Sequence, residues 1–471
     1  MEGQGKYTTK DGNKYVGAFE QNRKHGQGVM TCPDGTVYEG TWVEGKLEGQ
    51  GKDTQKNGFV YVGEFLQDCK HGHGVMTYPD GNVFEGTWVE GKRHGQGKYT
   101  TVDSKVLEGE WKEGKFYNGC GIQVFSGSVV KEGTWVEGKM EGQGKHTSKD
   151  GEKYVGGFVQ DNYHGHGVMT FADGNVYEGM WMNGLKHGQG KQTSLEGQVV
   201  EGEWKDGKIY NGSGVLVLPN GAVHEGTWVE GKMEGQGKYT TKDGNKYVGA
   251  FEQNRKHGQG VMTCPDGTVY EGTWVEGKLE GQGKDTQKNG FVYVGEFLQD
   301  CKHGHGVMTY PDGNVFEGTW VEGKRHGQGK YTTVDSKVLE GEWKEGKFYN
   351  GCGIQVFSGS VVKEGTWVEG KMEGQGKHTS KDGEKYVGGF VQDNYHGHGV
   401  MTFADGNVYE GMWMNGLKHG QGKQTSLEGQ VVEGEWKDGK IYNGSGVLVL
   451  PNGAVHEGTW VEGKMEGQGK Y

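Results

Sequence analysis

The pattern aromatic–x–Gly–x–aromatic returns every 23 or 24 residues, followed about ten residues later by Gly–x–Gly. The first four occurrences are YVGAF at 15–19, YEGTW at 38–42, YVGEF at 61–65 and FEGTW at 84–88. A fixed period this short is the signature of a repeat architecture, in which each unit buries its apolar face only against its neighbours. Within the first 232 residues the repeats start at Tyr15, Tyr38, Tyr61, Phe84, Leu107, Lys131, Tyr154, Tyr177, Val200 and His224. The two 24-residue repeats, from Leu107 and Val200, carry their extra residue in one loop, KEGKFYNG at 112–119 and KDGKIYNG at 205–212.

A longer period lies over the short one. Residues 233–464 repeat residues 1–232 letter for letter, and 465–471 begin a third copy. The sequence is therefore read as an array of ten repeats (1–232), an identical second array (233–464) and the start of a third (465–471). This layering points to successive tandem duplications. Met1 aligns with Met233 and Met465 in mid-repeat, so the sequence reads as a segment of a longer array.

Composition agrees with a thin structure. Glycine accounts for 96 residues and hydrophobic residues for only 31%. Without a period that balance would suggest disorder. With one, it suggests a single layer that needs no thick core. The net charge is −12 with both signs interleaved. Nucleic-acid binding is not expected, because phosphate neutralisation needs a basic stripe. The longest apolar runs are as short as VLVL at 215–218, too short for a membrane helix. Six cysteines without CxxC spacing read as reduced thiols, which places the chain in the cytoplasm or cytoskeleton. An extracellular fibre stays open, because the true N-terminus is not assured.

Each repeat reads as a β-hairpin. From Tyr15, YVGAFE is a strand, QNRKH a polar turn and GQGVMT a second strand. CPDGT then carries Pro-Asp-Gly, where Pro presets φ at the first corner and Gly accepts a positive φ. Strand alternation puts Tyr15, Gly17 and Phe19 on one face and Val16 and Ala18 on the other. A glycine inside a strand marks a close approach. The rings are expected to lie flat over Gly17, with Gly26 and Gly28 facing them from the partner strand.

The fifth position of the motif is the firmest: Phe19, Trp42, Phe65, Trp88, Trp111, Trp135, Phe158, Trp181, Trp204 and Trp228, with all 14 tryptophans of the chain at this position. These ten are read as a structural aromatic groove. The first position also accepts Leu107, Lys131, Val200 and His224. It is therefore expected to be partly exposed, making Tyr15, Tyr38, Tyr61, Phe84, Tyr154 and Tyr177 candidate partner-binding residues.

The combination Y-x-G-x-[FW], HGxG and PDG, as in YVGEF…KHGHGVMTYPDG at 61–81, resembles the MORN repeat over nearly the whole chain. That resemblance implies an elongated, twisted, single-layer antiparallel sheet of about 20 successive hairpins, an all-β ribbon. At about 4.8 Å per strand such a ribbon would be on the order of 190 Å long. The resemblance also implies scaffolding in cytoskeletal assemblies and membrane tethers, with anionic lipid or a docked protein as partner.

The chemistry-bearing residues add little. His71 with His73, and His164 with His166, are two apart, the spacing of a shared strand face, but no metal is expected. The Gly–x–Gly pairs lack a following helix and so make no phosphate loop. No nucleophile–base pairing recurs, and the chain is read as a non-enzyme without cofactor. Lysines such as those of EGKR at 90–93 offer anionic lipid a regular row, against the negative net charge. The function expected from sequence is a structural scaffold, self-associating end to end or laterally into a rod or filament. Lipid binding or protein docking is the alternative.

Overall fold

The computed structural model describes residues 1–125, 128–450 and 453–470, the side chains of 359 and 467–470 aside. Among the described residues there are 41 β-strands and one short 3-10 turn, Ser358–Ser360. The chain divides into two compact units. One comprises Met1–Pro219 and Val223–Met233, the other Asn220–Ala222 and Glu234–Tyr471.

In the first unit β1 (Gly3–Thr8), β2 (Lys14–Glu20), β3 (Arg23–Thr31), β4 (Val37–Val43), β5 (Lys46–Thr54), β6 (Val60–Leu66), β7 (Cys69–Thr77) and β8 (Val83–Val89) open a series. Each strand pairs antiparallel with the one before it in sequence. The second unit repeats these pairings 232 residues on. Gly235 faces Phe251 as Gly3 faces Phe19. The architecture is the all-β, antiparallel hairpin series expected from the sequence.

Two kinds of turn alternate. Between β2 and β3 the turn is only two residues, Gln21 at φ 50° and Asn22 at φ 65°. Two positive φ values make the hairpin turn whose twist matches the strands. The expected five-residue turn QNRKH is therefore corrected, since Arg23, Lys24 and His25 already belong to β3. The strand can start this early because it carries a bulge. Gly17 faces Gly28, yet Ala18 faces His25. Gly26 sits in that bulge at φ 57°. It supplies a left-handed turn of the backbone; its register partner on β4 is Trp42, but a Cβ added to it would meet only the Ala18 Cβ, at 3.3 Å, so no ring lies over it, which corrects its expected role.

The second turn holds the Pro-Asp-Gly signal. The Gly35 N–H donates to the Cys32 carbonyl at 3.0 Å and the Cys32 N–H to that of Thr36 at 2.8 Å. Asp34 accepts from the Thr36 N–H at 2.9 Å, which holds its carboxyl below the usual range.

Burial follows strand alternation. Along β2, Tyr15, Gly17 and Phe19 are buried while Val16 is exposed and Ala18 half-buried. The apolar core is thus one continuous face within each unit rather than a slab between two layers. All six cysteines are free. Among the described residues no helix is long and apolar enough to cross a membrane, which says nothing of a β-barrel.

Candidate functional site

The aromatic face is built by glycine. In the Tyr61 repeat the Tyr61 ring lies flat across its own hairpin, and a Cβ added to Gly74 would come within 2.4 Å of ring carbons. A Cβ on Gly63 would meet the Gly74 Cα at 2.4 Å. Bare backbone is therefore required on both strands. The Tyr61 hydroxyl donates to the Glu64 carbonyl at 3.0 Å and reaches the His71 carbonyl at 3.3 Å. Both acceptors flank the bulge, so the distortion of β7 gives the buried phenol its partners.

The fifth-position ring crosses to the preceding hairpin. The Trp88 indole N–H donates to the Gly74 carbonyl at 3.3 Å, and Trp42, Trp111, Trp181 and Trp204 donate in the same way to Gly28, Gly97, Gly167 and Gly190. Each such glycine lies under a ring of its own repeat and against one from the next. Edge-to-face contacts then run on from ring to ring. Tyr61 meets Phe65 at 5.2 Å and Trp88 at 5.3 Å, and Phe84 meets Trp88 at 5.4 Å and Trp111 at 5.1 Å. Such pairs add about 1 kcal/mol each beyond burial.

All ten fifth-position residues are buried. The first position is buried too, which corrects the expectation of partial exposure. Tyr15, Tyr61, Phe84, Tyr154 and Tyr177 are at most 2% exposed, while Tyr38 and Lys131 are half-buried. Five of the six candidate partner-binding rings thus present no free face. Tyr15 also packs edge-on to Phe19 and Trp42, so both positions carry the packing.

What covers these rings is a position that sequence reasoning passed over, the second residue of each returning strand. Where the first position is aromatic, this residue is most often basic. The Lys24 ammonium lies 3.7 Å from the Trp42 ring centroid and the Arg93 guanidinium 4.3 Å from that of Trp111. Lys70 lies over Tyr61 and pairs with the buried Asp53 at 2.8 Å. Where the first position lacks a ring, the covering residue is apolar and itself fills the slot: Phe116 for Leu107, Met140 for Lys131 and Ile209 for Val200, all buried. Leu47, 1% exposed, takes the slot in the Tyr38 repeat and leaves Tyr38 at the side. In the Tyr154 repeat both residues are rings, and Tyr163 stacks on Tyr154 at 3.9 Å. The signal was present in the sequence as this exchange between two positions.

Burial raises the phenol pKa of Tyr61, Tyr154 and Tyr177, that of Tyr154 to about 12. The folded state thus holds protons that the unfolded chain gives up above about pH 10. Stability from these groups is complete below pH 10 and declines as pH rises towards the folded values. The slope is about 1.4 kcal/mol per pH unit for each tyrosine. Thermal unfolding between about pH 10 and pH 11 should therefore show a falling midpoint. Tyr61→Phe with Tyr293→Phe should shallow the drop. A midpoint indifferent to pH over that range would contradict the burial.

Among the described residues no group of three His, Cys, Asp or Glu side chains is placed to hold a metal ion. The His71 carbonyl serves Tyr61, and His73 Nε2 lies 3.8 Å from Glu85. Open space adjoins the aromatic face at a few places. One cavity of about 910 Å³ lies where Lys131 replaces a first-position ring, lined by Trp111, Phe116, Phe125 and Trp135. Lys131 there pairs with Asp161 at 2.9 Å.

Among solved structures, the streptogramin B lyase structure is 14% identical over 64% of this chain and 92% of that one, with a TM-score of 0.12. The SAS-4 (dCPAP) TCP domain of Drosophila melanogaster, in complex with a proline-rich motif of Ana2 (dSTIL), is 12% identical over 42% and 82%, with a TM-score of 0.14. Virginiamycin B lyase from Staphylococcus aureus is 11% identical over 65% and 90%, with a TM-score of 0.11. Likenesses at these scores bear no argument about this chain. No curated protein matches it. The model of the MORN repeat matches 19 segments between residues 1 and 471 and passes over the repeat that starts at Leu107 and its copy at Leu339. Those repeats lack the first-position ring, and their extra residue lies in the returning strand, Lys115–Val124 with 10 residues against 9 in Lys92–Thr100, which corrects the loop expected for it; Phe116 and Phe348 fill the slot instead. With the motif tiling nearly all of the sequence and the same hairpin recurring through both units, this chain belongs to the MORN repeat family.

Proposed function

We propose that the chain is a structural scaffold that builds an extended rod or filament by association with copies of itself. The observation that carries this reading is the indole N–H of one repeat bonded to the glycine carbonyl of the repeat before it, as from Trp88 to Gly74. Cohesion of this kind is passed from neighbour to neighbour and sets no natural limit on repeat number.

Negative-stain electron microscopy of the purified chain over a concentration series tests the proposal. Filaments, or rods that lengthen with concentration, are expected. Dispersed particles of a single length at every concentration would overturn self-association. Docking of a partner protein has separate support at Tyr270, the copy of Tyr38. It is half-buried beside a cavity of about 240 Å³ lined with Lys256, Trp274 and Leu279. Cross-linking through a photoreactive group at Tyr270 tests that reading, and labelling only between copies of this chain would return the result to self-assembly.

A further inference from the structure

Lys418 and its copy Lys186 stand apart from Lys70. The Lys70 ammonium meets the buried carboxylate of Asp53. Lys418 meets three rings instead, with its nitrogen 4.7 Å from the centroid of Phe403, 5.0 Å from Tyr409 and 4.8 Å from Trp436. Its hydrogen-bond acceptor is the neutral Gln424 Oε1 at 2.6 Å. Among the described residues it has no carboxylate within ion-pair distance. Lys186 repeats the arrangement with Phe171, Tyr177, Trp204 and Gln192.

The Lys418 ammonium faces a cavity of about 410 Å³. That volume falls in the range of small-molecule sites, which are mostly apolar with a few polar groups that fix orientation. Trp436, Ile441, Leu448 and Trp460 supply apolar walls, and Asp405 and Asn407 lie at the polar side. Asp405 is already committed to its own turn, accepting from the Asn407 backbone at 2.9 Å and side chain at 2.8 Å. An ammonium has three N–H groups to give. Gln424 takes one. The rings attract the charge but cannot replace an anionic acceptor.

We propose that this cavity binds a small carboxylate with an apolar body, and that the matching cage of rings around Lys186 does the same. The carboxylate oxygens accept from the lysine ammonium, and the hydrocarbon body lies between the two indoles that wall the cavity. One half-buried cation selects a monoanion, and the extent of apolar wall selects against inorganic phosphate or sulfate.

The charge state bounds the pH range. Burial lowers the Lys418 pKa to about 8, with Asp405 opposing the shift. The other titratable groups facing the site are Tyr409 beneath the ammonium, and Lys440 and His456 on the cavity wall. The cation is present at neutral pH and is lost as pH rises beyond the folded value, so carboxylate affinity must fall in alkali. A neutral ligand of the same shape would not follow that profile.

Fluorine NMR titration of the full chain with 4-(trifluoromethyl)phenylacetate, beside its neutral amide, provides the test. Saturable binding of the acid at two sites per chain is expected, with the amide weaker by about tenfold or more, the worth of a hydrogen bond to a charged group. Acid affinity should fall steadily above about pH 9, one unit beyond the lysine value. Lys186→Met with Lys418→Met should abolish binding, and the arginine pair should retain it. The comparison of acid with amide on the unaltered chain needs no variant to fold. Equal affinity of the two, no saturation at millimolar probe, or undiminished binding by the methionine pair would each overturn the proposal.

Discussion

Replacing Gly74 with alanine, together with Gly306 at the same place in the second copy, should destabilise the surrounding hairpins by about 3 kcal/mol, the upper range for overpacking a filled core. The new methyl carbon would stand 2.2 Å from the Tyr61 hydroxyl oxygen and 2.4 Å from its ring. The ring cannot yield, because it is fully buried, hydrogen-bonded at its hydroxyl and held between Phe65 and Trp88. The effect is steric, since the backbone of Gly74 is not in the left-handed region. Gly45 provides the contrast. It has φ 92° and nothing within 4 Å of an added Cβ, so Gly45→Ala should cost only the conformational preference, about 1 kcal/mol. Hydrogen exchange of β6, β7 and β8 reads the local loss. Both copies must be altered together, because they yield identical peptides. Equal protection in the Gly74 and Gly45 variants would contradict the close approach.

Removing the ring from the other side of the contact gives the second large effect. Trp111→Ala with Trp343→Ala should weaken the local structure by about 3–5 kcal/mol, the usual range for deleting a buried tryptophan. Trp111 is 4% exposed, touches Phe84 at 5.1 Å and Phe116 at 5.2 Å, and gives its indole N–H to the Gly97 carbonyl at 3.2 Å. Loss of the indole also leaves the Arg93 guanidinium without the face it lies on. Trp111→Phe keeps most of the apolar contact and gives up the hydrogen bond, so its cost should be nearer 1 kcal/mol. The damage should spread to the hairpin on each side and fade beyond it, because coupling is between neighbours. A loss under about 1 kcal/mol for the alanine variant would mean that the ring carries no packing.

The hairpin series and its aromatic face were legible because both rest on local rules. Pro-Asp-Gly fixes one turn, strand alternation fixes the face, and the invariance of the fifth position marks it as packed. Three features were not legible in the same way. The two-residue turn at Gln21-Asn22 hides behind polar residues that also suit a longer loop. Its shortness depends on the bulge at Gly26, a feature of pairing between strands. The burial of Tyr15 and its equivalents was misread because tolerance at the first position was taken for exposure. The tolerance comes from compensation. Leu107, Lys131 and Val200 are acceptable because Phe116, Met140 and Ile209 reach the same slot from the neighbouring strand. A paired reading of the two positions would have found it. The cage around Lys418 was beyond a repeat-by-repeat reading, since its three rings come from separate places in the sequence.

A double-mutant cycle between Tyr61 and Gly74, made in both copies and read by hydrogen exchange, tests most directly the claim that a bare backbone exists to seat a ring. Tyr61→Ala alone removes a fully buried aromatic side chain and should cost about 3–5 kcal/mol. If the ring is what an added methyl group strikes, Gly74→Ala should then add less than about 1 kcal/mol in the Tyr61→Ala background, a coupling well above that of independent sites. Costs that simply add would show that the glycine and the ring are unrelated, and the account of this face would fail.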